Sequence, residues 1–339
     1  MEKHYKFLDL SGYAFTGKHA VIDLMREFEG YHVPHFAFEF CLLRIQGGIL
    51  DLKTALVDDW SPIRSDAAIR RFKKLVKRVG TKNSRLDPRT WFEAIGLNYD
   101  EHFNHLFFEL SERYLAELVE VSWKAAWPFA MADWSGSELL WRRLKRRVGF
   151  KDAFEVEMYL APPDNFARAT RRYLCDLLSS NVAPDTTTIV MHNAFEPFNP
   201  YRCLDFFDSA KSIIVDRDPR DNFVAMSLYK FLALPAAEFT KRYRVYRMAA
   251  QRNMKPSDQI LRIQYEDLVL RYDEALARIL TFLDEDKTVH ATPRKYFNPA
   301  ISVKNIGIWK SHPNQKDIEY IARELPEYCY KNAPGEVAS

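Results

Sequence analysis

Residues 5–28 read Tyr5-Lys-Phe-Leu-Asp-Leu-Ser-Gly12-Tyr-Ala-Phe-Thr-Gly17-Lys18-His19-Ala-Val-Ile-Asp-Leu-Met-Arg-Glu-Phe28. The first part is an apolar run that ends at a Ser-Gly pair, which is typical of a buried strand followed by a tight loop. From Gly17 onward apolar residues recur at spacings of three and four, which predicts an amphipathic helix. The stretch therefore predicts strand, loop and helix, the opening unit of an α/β fold.

The rest of the chain repeats this alternation. Residues 35–40 alternate aromatic and polar side chains and are predicted to form the second strand, which we expect beside the first. Apolar runs at 187–191, 212–215 and 260–264 are predicted as buried strands, with helix-like sequence at 222–232 and 272–283. Because strands alternate with helices, we expect an α/β fold whose parallel sheet is flanked by helices on both faces.

Residues 60–160 have a different pattern. Long helical stretches, such as 101–124, dominate and no clear strand is visible. We interpret this region as a helical insertion or lid after the second strand, within a single domain of residues 1–339. Basic residues are concentrated at 64–89 and again at 142–147. These runs are either solvated helix faces or a basic surface for a polyanionic substrate.

Composition excludes several classes of protein. The 339 residues are 47% hydrophobic and carry a formal net charge of only +3, which argues against disorder and against nucleic acid as a partner. The four cysteines lack metal-ligand spacing, and no window reaches the ~20 apolar residues of a membrane span. We expect a soluble, cytoplasmic protein without a metal ion.

The first loop, Gly12 to His19, has the spacing GxxxxGK followed by His. Glycines let backbone N–H groups surround a phosphate, and Lys18 supplies a full positive charge. His19 stands where P-loop nucleotidases have the Ser or Thr that holds Mg²⁺, so the loop predicts phosphate binding without metal-dependent ATP hydrolysis. The alternative is a plain strand-to-helix turn.

Two later segments also have residues suited to anions. Arg217-Asp-Pro-Arg-Asp221 follows a predicted strand, where the planar guanidinium of Arg217 can bind phosphate oxygens in pairs or can pair with a nearby aspartate. Gly307-Ile-Trp-Lys310 combines a flexible glycine with an aromatic ring and a cation, which can close over a ligand.

In this order, the three segments resemble the sulfotransferases that use 3'-phosphoadenosine 5'-phosphosulfate (PAPS). In that family a P-loop-like turn binds the 5'-phosphosulfate, the Arg of an R-[ND]-P-x-[DE] sequence binds the 3'-phosphate, and a C-terminal GxWK-type loop closes over the nucleotide. Tyr265-Glu-Asp-Leu268 is also similar to that family. The resemblance covers roughly residues 5–40 and 185–312 and leaves the helical insertion outside.

The resemblance implies a set of nucleotide-binding residues: Gly12, Thr16, Gly17, Lys18, His19, Arg217, Ser227, Ser302, Lys304 and Gly307. Ser227 is the weakest of them, because the family's serine place is occupied here by Ala225 and two residues of helix rotate a side chain by about 200°. Ser227 therefore needs a distorted turn to take that place. The family usually has [KR]-S-G-T-T in its first loop. This chain has Phe15 in the place of the cation and Lys18 after the glycine, so we expect Lys18 to supply the charge at the sulfuryl group.

The implied reaction is transfer of a sulfuryl group from PAPS, without a metal, to a hydroxyl or amine of a carbohydrate or other small, possibly anionic, acceptor. A base must take the acceptor's proton. Glu39 ranks first, because some carbohydrate sulfotransferases have a Glu shortly after the first helix, and His192 ranks second. The alternatives are a P-loop kinase or nucleotidase, with Asp216 as its metal-binding carboxylate, and a non-catalytic polyanion-binding protein.

Overall fold

The computed structural model describes residues 4–35, 38–82, 97–229 and 233–331. The chain forms two compact units: Met1–Cys41 with Ala183–Ser339, and Leu42–Val182. The second unit contains the stretch 60–160 that the sequence assigns to an insertion.

The strands in the described ranges are β1 Lys6–Gly12, β2 Tyr31–His32, β3 Val121–Ala125, β4 Val156–Leu160, β5 Thr188–His192, β6 Ala210–Asp216 and β7 Ile260–Gln264. The helices are α1 His19–Met25, α2 Ile49–Lys53, α3 Pro62–Gly80, α4 Tyr99–His102, α5 Phe107–Leu118, α6 Gly136–Arg147, α7 Phe166–Leu178, α8 Tyr201–Leu204, α9 Pro219–Ser227, α10 Ala236–Asn253, α11 Tyr265–Leu270, α12 Tyr272–Leu283, α13 Pro299–Ser302 and α14 Gln315–Glu324. Short 3₁₀ turns lie at Cys41–Leu43, Pro128–Asp133, Lys287–Val289, Val303–Asn305 and Ile308–Ser311, and one π turn at Thr54–Asp58.

The first unit is built on a five-stranded sheet in the order β2-β5-β1-β6-β7. Every pairing within it is parallel, which confirms the predicted fold class. The three central strands are buried along almost their whole length because helices cover both faces. Side chains of α1 and α12, such as Ile22 and Ile279, form one buried cluster with Leu10 and Ile213 of the sheet.

A buried carboxylate in β1 fixes the chain that follows β5. Asp9 accepts hydrogen bonds from the backbone N–H groups of Ala194 and Phe195 and from the Ser212 hydroxyl. Burial raises the pKa of Asp9 above its ordinary value, and these hydrogen bonds oppose that rise. The carboxylate therefore holds the end of β5, with His192 and Asn193, against β1.

The prediction of the second strand is wrong both in its residues and in the strand that it pairs with. The strand is only Tyr31–His32, and it pairs with β5 rather than with β1. Pro34 lacks a backbone N–H and cannot continue a ladder, which explains why the strand ends before 35–40. Residues 36 and 37 of the predicted strand lie outside the described residues.

The other boundaries follow the sequence closely. The strand at 260–264 and the helix at 272–283 have the predicted bounds. β5 is shifted by one residue from the predicted 187–191, and β6 extends beyond the predicted 212–215 at both ends. The helix predicted at 222–232 begins earlier, at Pro219, because Asp218 caps it through its side chain, and it ends at Ser227. Residues 230–232 lie outside the described residues.

The second unit contains strands as well as helices, so the expectation of a purely helical insertion is wrong. β3 and β4 form an antiparallel pair in which Val121 faces Leu160, and residues 121–125 are strand rather than the end of a helix. The helices α3, α5 and α7 supply the core of this unit, where the rings of Tyr114 and Tyr173 stack at 4.5 Å. No helix in the described part of the chain has the length and apolar composition needed to cross a bilayer.

Candidate active site

The first loop leaves β1 at Gly12 and turns tightly before α1. Thr16 donates its hydroxyl and its backbone N–H to the carbonyl of Tyr13, which closes the turn and leaves the Thr16 side chain buried. Gly17 has φ +81°, and a Cβ there would lie 2.5 Å from the ring of Tyr265. A side chain at this position is therefore excluded both by conformation and by the close approach of the ring.

Lys18, at the end of this loop, points its amino group toward a carboxylate from the segment after β2. Lys18 Nζ lies 3.7 Å from Glu39 Oε1, and His192 Nε2 lies 3.7 Å from the same oxygen. Asn193 donates its side-chain N–H to Glu39 Oε1 at 2.7 Å. The two residues that the sequence ranks as candidate bases, Glu39 and His192, are therefore neighbours, and the predicted cation Lys18 lies beside the same carboxylate oxygen of Glu39.

The segment that carries Glu39 is held at the carboxyl end of β5. Phe40 donates its backbone N–H to the carbonyl of His192 at 2.9 Å. Glu39 is half-buried, with 38% of its side chain exposed, whereas the His192 side chain is 2% exposed. Of the two candidates, Glu39 is the one open to an acceptor from solution.

His192 is a neutral imidazole at pH 7. Burial, and secondarily the charge of Lys18, lower its pKa from the ordinary 6.5 to about 4. Its Nδ1 lies 3.2 Å from the carbonyl of Phe38, which can only accept, so the proton is assigned to Nδ1. Nε2 is then an unprotonated, buried lone pair without a hydrogen-bond partner among the described residues, and it faces Glu39.

Arg217 joins the first loop to the C-terminal segment. It donates to the carbonyl of Phe15 at 3.1 Å and to that of Asn305 at 2.5 Å, and its guanidinium lies 5.1 Å from the centre of the Tyr265 ring. Its Nε is buried and has no partner among the described residues. Arg220, not Arg217, makes the paired contact with Asp218.

The end of the same motif anchors the C-terminal loop. Asp221 accepts the backbone N–H groups of Gly307 at 2.7 Å and Trp309 at 3.1 Å, and burial raises the pKa of this carboxyl. Arg220 stacks over the Trp309 ring with 4.2 Å between guanidinium carbon and ring centre. Gly307 has φ +69°, the left-handed conformation that glycine adopts without strain.

The remaining predicted residues are placed as follows. The carbonyl of Ser302 accepts the Tyr265 hydroxyl at 3.3 Å, while Lys304 is exposed on the adjoining turn. Helix α9 runs regularly to Ser227, whose hydroxyl donates to the carbonyl of Val224. The distorted turn that a phosphate-binding role requires of Ser227 is therefore absent from this described helix.

A cleft of about 430 Å³ opens beside the first loop, and its lining includes Gly17, His19, Tyr265, Arg294 and Ser302. One wall of the cleft includes residues 294–297, and the buried carboxylate of Glu27 holds this segment in place. Its two oxygens accept from the His290 ring and from three backbone N–H groups, those of Arg294, Tyr296 and Phe297. In the described ranges, no group of three or more His, Cys, Asp or Glu side chains could hold a metal ion.

A family model described as the sulfotransferase family matches residues 110–288, more than half of the chain. The chain belongs to the sulfotransferase family. It is thus an enzyme rather than a non-catalytic polyanion-binding protein, and the kinase alternative is not supported. No curated protein matches the chain.

Solved structures similar to this sulfotransferase include three of the same class. The sulfotransferase domain of the Synechococcus PCC 7002 olefin synthase is 15% identical, with a TM-score of 0.42 and coverage of 96% of both chains. The domain from the curacin biosynthetic pathway is 14% identical, with a TM-score of 0.39 and coverage of 96% of this chain and 99% of that chain. The sulfotransferase STF9 from Mycobacterium avium is 15% identical, with a TM-score of 0.38 and coverage of 97% of this chain and 76% of that chain.

Sequence reasoning missed Asn193, Asp221 and Glu27 in this sulfotransferase. Asn193 directly follows a strand-terminal histidine and adopts φ +54°, a conformation that asparagine tolerates better than most residues. That signal is available only once the strand end is known. Asp221 lies in the motif Arg217–Asp221, in which the sequence assigns a role only to Arg217. Glu27 has no local sequence signal because its partners are more than 260 residues away.

Proposed function

We propose that this sulfotransferase moves a sulfuryl group from PAPS to a hydroxyl, or an amine, of a carbohydrate acceptor. The observation that carries the proposal is the meeting of Lys18, Glu39 and His192 beside the glycine-bearing first loop. Sulfuryl transfer requires a proton acceptor for the hydroxyl that attacks and a cation for the oxygen that leaves, and Glu39 and Lys18 are groups of these two kinds.

The residues present fit an anionic nucleotide. Gly17 leaves room only for backbone at the base of the cleft. Arg217 lies between two loops, and its buried Nε has no hydrogen-bond partner in the part of the chain that the structure describes. We assign the 5'-phosphosulfate end to the first loop with Lys18, and the 3'-phosphate to Arg217 with Lys304. When bound, PAPS supplies the sulfuryl group and leaves as adenosine 3',5'-bisphosphate.

Glu39 takes the proton of the acceptor as the new oxygen–sulfur bond forms and the bond to the 5'-phosphate oxygen breaks. Asn193 fixes the reacting carboxylate oxygen through its 2.7 Å hydrogen bond. The unprotonated Nε2 of His192 offers a second acceptor for the same proton, and Lys18 balances the negative charge of the leaving oxygen. Each of these groups is part of the chain, so the proposal requires no metal.

The carbohydrate class rests on the type of base and on aromatic content. A half-exposed carboxylate suits an aliphatic hydroxyl, which must lose its proton during transfer. Aromatic residues also make up 14% of the chain, and rings such as tryptophan, which combine an apolar face with a hydrogen-bond donor, suit contact with sugars.

The experiment is transfer of label from sulfur-labelled PAPS to a panel of saccharides, with a phenol and a sterol as the non-carbohydrate acceptors. We expect labelled saccharide, unchanged by EDTA, and loss of transfer in Lys18→Met but not in the exposed control Lys241→Met. Label only in the phenol or the sterol would contradict the acceptor class. Loss in EDTA that Mg²⁺ restores would contradict the metal-free mechanism.

A further inference from the structure

Helix α6 in the second unit exposes its apolar residues to solvent, the reverse of what a surface helix of a globular protein normally does. A surface helix normally buries its apolar stripe and exposes its charges. None of the residues of α6 is buried, and Leu140, Trp141 and Leu144 are 59%, 59% and 44% exposed. The apolar positions are therefore largely open to water, with the amino group of Lys145 lying over the Trp141 ring at 5.5 Å.

The charged side of α6 is the one that faces its own unit. Arg142 lies over the ring of Trp134 at 4.1 Å, pairs with Glu138 and donates to the carbonyls of Ala153 and Glu155. Arg146, one turn later, lies over the ring of another aromatic residue of the same unit at 5.5 Å. These contacts fix the rotation of the helix, so the outward direction of its apolar stripe does not depend on sequence pattern alone.

The cations of α6 border this stripe. At about 100° per residue, Leu140, Trp141 and Leu144 span an arc of roughly 100°, with Arg143 and Arg147 on one side and Lys145 on the other. Val148 and Phe150 follow the helix and are also exposed, at 74% and 56%. Residues 136–151 contain six basic residues and one acidic residue. An apolar strip flanked by long basic side chains is the arrangement of a helix that lies in a membrane interface.

We propose that α6 and the residues after it dock this protein on the surface of a bilayer rich in anionic lipid. Charge complementarity selects this occupant: the basic borders match anionic headgroups, and the apolar strip matches the acyl boundary below them. A second copy of the chain fits less well, because a twofold contact would bring the same cations together. A sulfated glycan satisfies the cations but leaves Leu140, Leu144 and Val148 in water.

The experiment is co-sedimentation of the full chain with vesicles of phosphatidylcholine, with and without about 30% phosphatidylglycerol. We expect binding to the mixed vesicles that salt weakens, and little binding to neutral ones. The variant with Leu140→Ser, Trp141→Ser and Leu144→Ser should lose about tenfold or more in binding, and Arg143→Glu with Arg147→Glu should lose a similar amount. All five positions are exposed, so the variants should keep the wild-type thermal unfolding midpoint.

Matched controls replace equally exposed residues elsewhere. Val245→Ser with Met248→Ser on α10, and Lys74→Glu with Arg78→Glu on α3, should bind the vesicles as the wild type does. The proposal is overturned if the wild type does not sediment with the anionic vesicles, or if the α6 variants bind them equally well. Binding to heparin that both α6 variants lose, without any binding to vesicles, would assign the surface to a glycan instead.

Discussion

Three side chains from different parts of the chain converge on one carboxylate oxygen. Glu39 Oε1 is approached by Lys18, His192 and Asn193, which come from the first loop and from the end of β5. The neutral state of His192 matters here, because a protonated imidazole would place a second positive charge close to that of Lys18. The arrangement places a carboxylate that can accept a proton next to a cation, and it leaves 38% of the Glu39 side chain exposed to an incoming substrate.

Removing the proton acceptor should stop the reaction without affecting the donor. Glu39→Gln keeps the shape and the contact with Asn193, so turnover should fall by ~10² to 10⁴, the range for loss of a general base. The affinity for adenosine 3',5'-bisphosphate should be unchanged. Steady-state kinetics and calorimetry measure the two effects, with the exposed Glu29→Gln as control.

His192→Ala should cost less than Glu39→Gln, because His192 is buried behind the carboxylate. Normal turnover in Glu39→Gln together with an inactive His192→Ala would move the role of base to the end of β5. Normal turnover in both variants would show that the proton leaves by neither residue.

The buried histidine should also make stability depend on pH. Since the pKa of His192 is about 4 in the folded chain and 6.5 ordinarily, only the unfolded chain binds a proton between these values. The free energy of unfolding should therefore fall as the pH drops from 6.5 to 4, with no contribution from this group above that window. In His192→Gln the fall should be smaller, while the exposed His4→Gln should behave as the wild type; urea titrations across the window measure it. An equal fall in His192→Gln would contradict the assignment of a neutral histidine.

At the scale of elements, two buried carboxylates hold the loops around the cleft. Asp221, in the first turn of α9, fixes the loop at Gly307, and Glu27, just after α1, fixes residues 290–297. In both cases a carboxylate accepts backbone N–H groups that a loop cannot satisfy internally. The loops are therefore positioned by charge-assisted hydrogen bonds from neighbouring helical segments in addition to apolar contacts such as those of the buried Phe297.

Asp221→Ala should loosen the C-terminal loop. Two backbone N–H groups lose their acceptor, so the free energy of unfolding should fall by about 1–3 kcal/mol, and the affinity for adenosine 3',5'-bisphosphate should fall with it. Urea denaturation and calorimetry measure both quantities, with the exposed Asp258→Ala as control. Unchanged nucleotide affinity in a destabilised variant would show that the loop does not contribute to the nucleotide site.

Elements with a strong periodic signal were predictable, and those without one were not. The run at 260–264 is rich in large apolar residues, the run at 272–283 is clearly amphipathic, and the structure has them at those bounds. β3 was not predicted because it is exposed along nearly its whole length. It therefore lacks the continuous apolar run that predicts a buried strand. The place of β2 beside β5 depends on long-range pairing, so Glu39 could be ranked as a base but not placed against His192.

For the whole molecule, the net charge of +3 conceals how charge is distributed. Residues 136–151 alone carry six basic residues against one acidic residue, while acidic residues elsewhere cancel them in the sum. The sequence identified this basic run but not its orientation, which depends on Arg142 packing inward over Trp134. Composition therefore limited which classes of protein were possible, whereas the proposed docking surface could be identified only from the fold.

The central claim, a sulfotransferase site with a dedicated place for the 3'-phosphate of its donor, is tested most directly by calorimetric titration of the wild-type chain. The two ligands are adenosine 3',5'-bisphosphate and AMP, which differ only in the 3'-phosphate. A buried arginine that gains a phosphate partner predicts binding of the bisphosphate about tenfold tighter or more, in the absence of metal. Equal affinity for the two ligands would contradict the assignment of Arg217 and, with it, the proposed donor site.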